Sequence, residues 1–396
     1  MSANNLLTDV IIIGAGASGL MCASTSGRRR RKVLVIDHAA HPGQKLLMSG
    51  GGHCNFTNRH ISAENYISHN PHFCKSALSR YTQWDFLALV QKYHISFSER
   101  EHGRFFCDGS SRDILNMLLS ECRRAGVSFQ MNSKIEKIEH SDEHHFKIRT
   151  DKGTRLCRSI VVATGGLSVP AAGASPLGYE IARQFNIEVW QREAGLVPFT
   201  LQPEDKEKLS ALSGIALDAV VGNKRQSFRE NILFTHRGLS GPAILQMSLY
   251  WQPGEEITIN LLPETDLFTV LKAEQQRHPQ RKLKSVLAEY LPKRLVTILM
   301  NDVAERPLQT LSHNSFKEIS AALRQWTLKP AGTEGYRTAE VTKGGVDCES
   351  ISSKTMEARE TPGLFFIGEV LDVSGHLGGY NLQWAWSSGW CAGQYV

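Results

Sequence analysis

The sequence predicts an α/β fold: a discontinuous Rossmann-like domain whose parallel sheet is assembled from both ends of the chain, with a β-barrel-like domain and a small helical subdomain inserted between. Three stretches carry that expectation. The first is "DVIIIGAGASGLMCA". Val10 to Ile13 form a short apolar run of the buried-strand kind, and Gly14, Gly16 and Gly19 then make G-x-G-x-x-G ahead of a small-residue helix. A second apolar run, Val33 to Ile36, ends in Asp37, eighteen residues beyond Gly19. Strand, tight turn, helix, strand and acid in that order place a pyrophosphate on a helix N-terminus and a carboxylate on a ribose hydroxyl.

The second stretch, "GLFFIGEVLDVSGHLGGYNLQWAWSSGWCAG", repeats this grammar from Gly363 onward: an apolar strand, then Gly368-Glu369, then a glycine loop, then a helix of small and aromatic residues. A returning strand that offers Gly-Glu beside a helix N-terminus is how many flavoproteins hold the flavin end of FAD, which separates FAD from NAD. The third, "IVVATGG", brings Ala163, Thr164 and Gly165 to a strand end of the same kind.

At 396 residues the chain exceeds one ordinary core. Its 41% hydrophobic and 21% charged composition is that of a globular protein, and no apolar stretch is long enough to span a membrane. The opening "MSANNLLTDVIIIGAG" lacks a basic n-region and reads as a strand, not a signal peptide. Eight cysteines without a CxxC read as free thiols in a reducing cytoplasm. His60, His69 and His72 stand among loop residues without an acidic partner, so no metal site is expected.

The FAD domain is placed at 1–190 and 336–396, a β-rich insert at 191–264 and 327–335, and a helical subdomain at 265–326. Residues 71–91 and 110–126 read as amphipathic helices covering the sheet, and 133–153 as a β-meander. Leu283, Val286, Leu287, Tyr290 and Leu291 fall on one helical stripe, and Phe316, Ile319, Leu323 and Trp326 on another. No second G-x-G-x-x-G is present, so NADH or NADPH is expected only as a transient electron donor.

"LLMSGGGHCNFTN", "ATGGLSVP", "GLVPFT", "LFTHRGLSGPAIL", "GTEGYRTAEVTKGGV" and "FIGEVLDVSGHLGGYNLQWAWSSG" occur in this order along nearly the whole chain. In them the sequence resembles the BaiN-like (YhiN-type) flavoproteins. The resemblance implies a glutathione-reductase-type FAD-binding domain with a family-specific insert, and FAD-dependent reduction of a carbon–carbon double bond. One branch of that family is implicated in making dihydrouridine in large-subunit (23S) ribosomal RNA; others are linked to steroid enones. It further implies FAD contacts from Ala17, Ser18, Lys45, Ser49, Asn55, Ile135, Gly379, Tyr380, Asn381 and Leu382, besides the fingerprint glycines. The chain departs from the family pattern at His53, His376 and Leu382, positions that bear on substrate geometry.

Three consecutive glycines, Gly50, Gly51 and Gly52, let the main chain lie against the cofactor with bare N–H groups. A His53-Cys54-Asn55 triplet follows at once. Reducing an enone or uracil C=C requires a proton at the α-carbon opposite the incoming hydride, and a thiol near its ordinary pKa of about 8.5 can supply it. The alternative is a small buried thiol packed near the cofactor. His236, beside Arg237 in "FTHRGLSGP", is the second candidate, and Cys107 a third. Two basic runs, "GRRRRK" from Gly27 and the segment with Arg277, Arg281, Lys282 and Lys284, are either solvated faces or phosphate contacts for RNA. Three readings remain open: a reductase of uridine in 23S rRNA, a reductase of a small enone, and a flavin-binding factor without turnover.

Overall fold

The computed structural model describes residues 7–141 and 145–396. Residues 1–6, read from the sequence as the start of the first strand, and 142–144, within the segment read as a meander, lie outside the described residues. The chain divides into two compact units, one reaching Ala194 and resuming at Glu340, the other spanning Gly195–Ala339.

In the first unit Leu7–Ile13 is the centre of the sheet. Val33–Ile36 flanks it on one side and Ser128–Gln130 lies beyond; on the other side come Gly153–Val162 and then Leu364–Phe366, all parallel. The continuous apolar runs follow from this position: Val10 to Ile12, Val35, Ile36 and Ile160 to Val162 are buried because helices cover both faces. Gly153–Val162 is long enough to serve two partners along one edge. Its first half pairs antiparallel with His145–Thr150, its last residues pair parallel with Leu364–Phe366. The meander is thereby an extension of the main sheet.

Two helices of small residues, Ala17–Arg28 and Tyr380–Gly393, are buried over most of their length. Their approach is set by glycine: a Cβ on Gly389 would stand 2.5 Å from Ser18 O, and one on Gly393 2.6 Å from the Thr25 Cβ. The buried hydroxyls of Ser24, Thr25 and Ser26 are satisfied by carbonyls of their own helix, at 2.7–3.0 Å.

The single helix expected over 71–91 is two, Phe73–Arg80 and Gln83–Lys92. The reason is local. Thr82 is extended and closes a reciprocal capping box with Asp85, which starts a new helix there.

The second unit is an antiparallel sheet in the order 326–328, 257–260, 216–222, 227–234, 238–240, 199–200, 332–333. Seven strands laid flat would span roughly 29 Å, yet the two edge strands are joined by only residues 329–331, a reach of about 14 Å. The sheet must therefore curl. The helices Leu267–Arg277, Leu283–Leu287, Lys293–Met300 and His313–Arg324 share one apolar core with it, from Phe199 and Ile232 to Leu287 and Phe316. Of the first expected stripe, Leu283, Val286, Leu287 and Leu291 are buried, whereas Tyr290 is 41% exposed because the helix ends at Leu287 and the chain turns.

Thr82→Ala removes the hydroxyl that accepts the Asp85 N–H. It should lower stability by about 1 kcal/mol, read as a shift of the urea midpoint without change of slope; an unchanged midpoint would mean that the helix start is fixed by packing alone.

Candidate dinucleotide site

The three fingerprint glycines do different work. Gly14 has φ +114, and a Cβ on it would lie 2.3 Å from Ala163 O; a Cβ on Gly19 would lie 2.0 Å from Gly14 O. Both are required by the protein's own backbone. Gly16 has φ −84, a conformation open to any residue, and a Cβ there meets nothing within 4 Å. Only something outside the chain can require glycine at 16. The helix it caps begins without a side-chain cap, so the first N–H groups, those of Ala17 and Ser18 among them, are left for an anion.

Asp37, expected to hold a ribose, already braces this loop: Oδ2 accepts the Ala15 N–H at 2.6 Å and Oδ1 the Ala39 N–H at 2.8 Å. Each oxygen retains a lone pair for a hydroxyl. Ile135 opens the outer strand of the meander two residues after Ser133, whose N–H donates to Asp37 O.

Across the strand ends, Ala163, Thr164 and Gly165 follow Val162. The Thr164 hydroxyl is buried without a partner among the described residues, and Gly165, at φ +71, has open space where a Cβ would stand. Gly368 also sits at positive φ, +73, with Ser18 Oγ where its Cβ would be. Glu369 beside it anchors a polar network. Its Oε2 accepts Lys45 Nζ at 2.6 Å, and its Oε1 accepts the Thr342 N–H at 2.9 Å and the Ser168 hydroxyl at 3.0 Å. Lys45 Nζ also reaches Ser168 Oγ at 2.6 Å, and the Thr342 hydroxyl accepts from Leu167 and Ser168 N–H. Four distant segments are tied by this network. Sequence reasoning named Lys45 and Glu369 but missed Ser168 and Thr342, although both lie within quoted motifs, because a serine or threonine carries no periodic or spacing signal.

Gly379 (φ +93) caps the last helix, with a Cβ position 2.4 Å from Thr57 O. The Asn55 amide, oriented so that both ends bond, accepts the Gly379 N–H at 3.1 Å. Tyr380 is buried with its carbonyl on the Tyr66 hydroxyl, and Asn381 closes the 375–381 loop by bonding both the N–H and the C=O of Gly375 at 2.8 Å. Leu382, one position on, is partly buried against the core. In this loop His376 is 9% exposed, and burial pushes its imidazole pKa down to about 4.

Ser49–Gly52 forms a tight left-handed turn, with Gly50 at φ +57, Gly51 at +64 and Gly52 at +91. Gly51 and Gly52 have open space at their Cβ positions, whereas Gly50 faces Asn55 N at 2.7 Å. The turn ends on Cys54, itself at φ +48, whose N–H donates to Ser49 O. That backbone sends the side chain inward. Cys54 is fully enclosed by protein atoms, and burial raises its thiol pKa to about 12, with Cys107 adding to the rise and a hydrogen bond with Ser49 opposing it. The expectation of a thiol facing a substrate is corrected here: Cys54 is a core residue. Cys107 is buried in the same way, also near 12.

In the second unit His236 stands exposed in the turn between Ser227–Phe234 and Gly238–Ser240. Thr235 shapes this turn by accepting the Arg237 and Gly238 N–H groups, and Arg237 pairs with Glu334 at 3.3 Å. The basic run on the helices is largely paired with acids. Arg281 bridges Glu274 and Glu289, and Lys282 and Lys284 share Glu305, so only Arg277, exposed at a helix end, lacks an acid in these pairings. His69, considered above for a metal, instead lies on the buried Asp372 carboxylate at 2.8 Å and stacks on Trp190 at 3.9 Å.

A bare helix N-terminus, one glycine free for a ligand between two that are not, and an orphaned hydroxyl at the facing strand end define a dinucleotide-binding protein of the Rossmann class. The chain belongs to the HI0933-like family, whose Rossmann-domain model matches residues 8–395. It is 51% identical over 389 residues to the ribosomal RNA dihydrouridine synthase of Escherichia coli K12, covering 98% of this chain and 97% of that protein. The protein of that name from Haemophilus influenzae is 47% identical, covering 96% and 97%. The 3-dehydro-bile acid delta(4,6)-reductase of Clostridium scindens is 28% identical over 97% of each chain. Among solved structures, a 3-ketosteroid-delta4-(5alpha)-dehydrogenase from Rhodococcus jostii RHA1 superposes over 98% of this chain and 97% of its own, with a TM-score of 0.52 at 15% identity, a likeness of fold.

His376 gives the site a pH signature. Its folded pKa lies below the ordinary 6.5, so stability is full above that value and is lost as pH falls toward 4, where the unfolded chain takes up a proton that the folded chain refuses. The loss should approach roughly 3 kcal/mol. Urea midpoints at pH 7 and pH 4.5 should fall further apart for wild type than for His376→Gln; equal differences would show that the imidazole is not held neutral.

Proposed function

We propose that this protein reduces the C5=C6 bond of a uridine in 23S ribosomal RNA, with FAD as cofactor and NADH or NADPH as electron donor. Membership of its family makes the chain an FAD-dependent oxidoreductase; the substrate and the donor are our reading. The observation that carries it is 51% identity over nearly the whole of a protein named for that reaction.

The residues present fit FAD. The open Gly16 and the uncapped N–H groups of Ala17 and Ser18 suit its pyrophosphate, and Asp37 a ribose hydroxyl. Thr164, Gly165, Gly368 and the Lys45–Glu369 pair suit the chain of hydroxyls leading to the ring. Ser49, Gly51 and Gly52, with Asn55, Gly379, Tyr380, Asn381 and Leu382, would border the ring itself, and Ala163 and Ile135 the adenosine side. Bound FAD supplies hydride to the β-carbon of the double bond. The protein must then provide a proton at the α-carbon. With Cys54 enclosed, we assign that role to His236, whose imidazole is solvent-accessible and can carry a proton to give up. Arg237 would face the substrate carbonyl or phosphate. Eight buried free cysteines and an rRNA substrate fit a reducing cytoplasm.

The 28% identical bile-acid reductase supports a second reading, reduction of a small enone, which shares the same electronics. Mass spectrometry of 23S rRNA nucleosides from a strain lacking the gene decides between them. Loss of a dihydrouridine is expected; an unchanged nucleoside profile would sink the rRNA reading, and oxidation of NAD(P)H by a steroid enone without RNA would favour the second.

Gly16→Val has room in the protein and no backbone strain, so it should fold with a near-wild-type melting temperature and purify colourless. A yellow, flavin-replete variant would refute the placement of the pyrophosphate. His236→Gln should retain FAD and its reduction by NAD(P)H while RNA reduction falls about 10²-fold or more; turnover within a few-fold of wild type would remove His236 from the mechanism.

A further inference from the structure

The run "GRRRRK" turns at Arg29–Arg30 and is exposed over most of its length, but it does not stand alone. It ends the helix Ala17–Arg28, and its side chains enter a continuous cationic and aromatic surface built from the C-terminal ends of several helices. Arg28 and Lys92, the latter ending Gln83–Lys92, both pair with Glu121, a buried acid near the end of Ser111–Arg124. That same helix end carries Arg123 and Arg124, both exposed. Arg124 and Lys92 lie over the Tyr93 ring at 5.4 and 5.7 Å, and the Tyr93 hydroxyl donates to Glu121. On the other flank Arg80, ending Phe73–Arg80, lies over Trp390 at 5.5 Å and Tyr395 at 5.3 Å, while Trp390 stacks on Tyr81. Arg29 and Arg31 hold the Val396 backbone oxygen at 2.9 and 3.1 Å, joining the two flanks.

Charge here is not balanced as it is at Arg281, Lys282 and Lys284. One buried glutamate answers Arg28 and Lys92, and Arg30, Arg123 and Lys32 extend to solvent. Most of these cations are arginines, several with a guanidinium or ammonium laid on a ring, and Tyr395 keeps 37% of its surface exposed. Fixed guanidinium planes with aromatic faces between them suit phosphates and unstacked bases.

We propose that this face, where the C-terminal ends of the helices 17–28, 73–80, 83–92 and 111–124 converge, is a docking surface for RNA, separate from the dinucleotide site. The inference rests on the rRNA reading and adds where the RNA is held. The helix Ala17–Arg28 has the fingerprint loop at one end and this face at the other, about 18 Å apart along its axis. A mononucleotide cannot touch both. A folded RNA can, so the face selects for a large substrate and acts on affinity, not on the chemical step.

The test uses the flavin-loaded full chain and a 23S rRNA fragment reduced by the wild-type enzyme. Arg30, Arg123 and Arg124 are changed together to glutamate; Arg30 lies at φ +63, where glutamate is no more strained than arginine. RNA affinity should fall roughly tenfold or more, and the slope of log K against log salt should lessen by about 2–3. Flavin content, melting temperature and NAD(P)H oxidation with a small artificial acceptor should hold. Lys282→Glu with Lys284→Glu should leave RNA affinity within twofold. If wild type binds RNA and the triple variant binds equally well, this surface is not the dock, and the rRNA reading stands. Wild type that binds no RNA overturns both. Tighter binding to phosphatidylglycerol vesicles than to RNA overturns the inference in favour of a membrane surface. Should the triple glutamate variant unfold, the corresponding glutamine variant gives the same reading with a smaller effect.

Discussion

The close approach of two backbones, at Gly14 and Ala163, governs this structure. A side chain at 14 would sit 2.3 Å from the Ala163 carbonyl oxygen, so the loop leaving the first strand and the end of the Gly153–Val162 strand can meet only because one of them is bare. Gly19 repeats the constraint one helical turn later, bringing the helix down on the same loop. Asp37 locks the arrangement from the neighbouring strand by taking the Ala15 N–H. With these three contacts in place the helix N-terminus points into open space and Gly16 remains uncovered.

The polar network around Glu369 depends on that placement. Lys45, Ser168, Thr342 and Glu369 come from segments separated by more than a hundred residues in most pairings, and each is engaged at hydrogen-bond distance. Leaving one partner of such a network unmet costs more than the bond itself contributes, which favours a single arrangement over several looser ones. A cofactor site built on it is pre-formed. Cys54 shows the opposite outcome. The left-handed turn that exposes Gly51 and Gly52 leaves His53 exposed and turns Cys54 inward, so the thiol placed beside the site by sequence is removed from it by backbone geometry.

The charged runs illustrate how composition misleads. Six residues from Gly27 and eight from Arg277 look equivalent in a charge plot. On the helices of the second unit, acids at 274, 289 and 305 fold back onto the cations. At the end of the first helix a single buried glutamate takes both Arg28 and Lys92, and rings hold Arg80, Lys92 and Arg124 in place. Which run remains positive depends on residues far away in sequence.

By itself the sequence determined the Rossmann-type α/β class, the parallel strands and the glycine fingerprint, because these rest on local periodicity and on residue types with no substitute at positive φ or at close backbone contact. It determined the two covering helices of 71–92 only as one, since a capping box inside an apolar pattern is a weaker signal than the pattern. Tertiary structure alone decided that Asp37 braces the loop, that Ser168 and Thr342 complete the site, that Cys54 faces the core, and that one basic run is neutralised and the other is not. Each of these depends on which distant groups share a few ångströms, and hydrogen bonding, burial and charge pairing leave no period in the chain to be read.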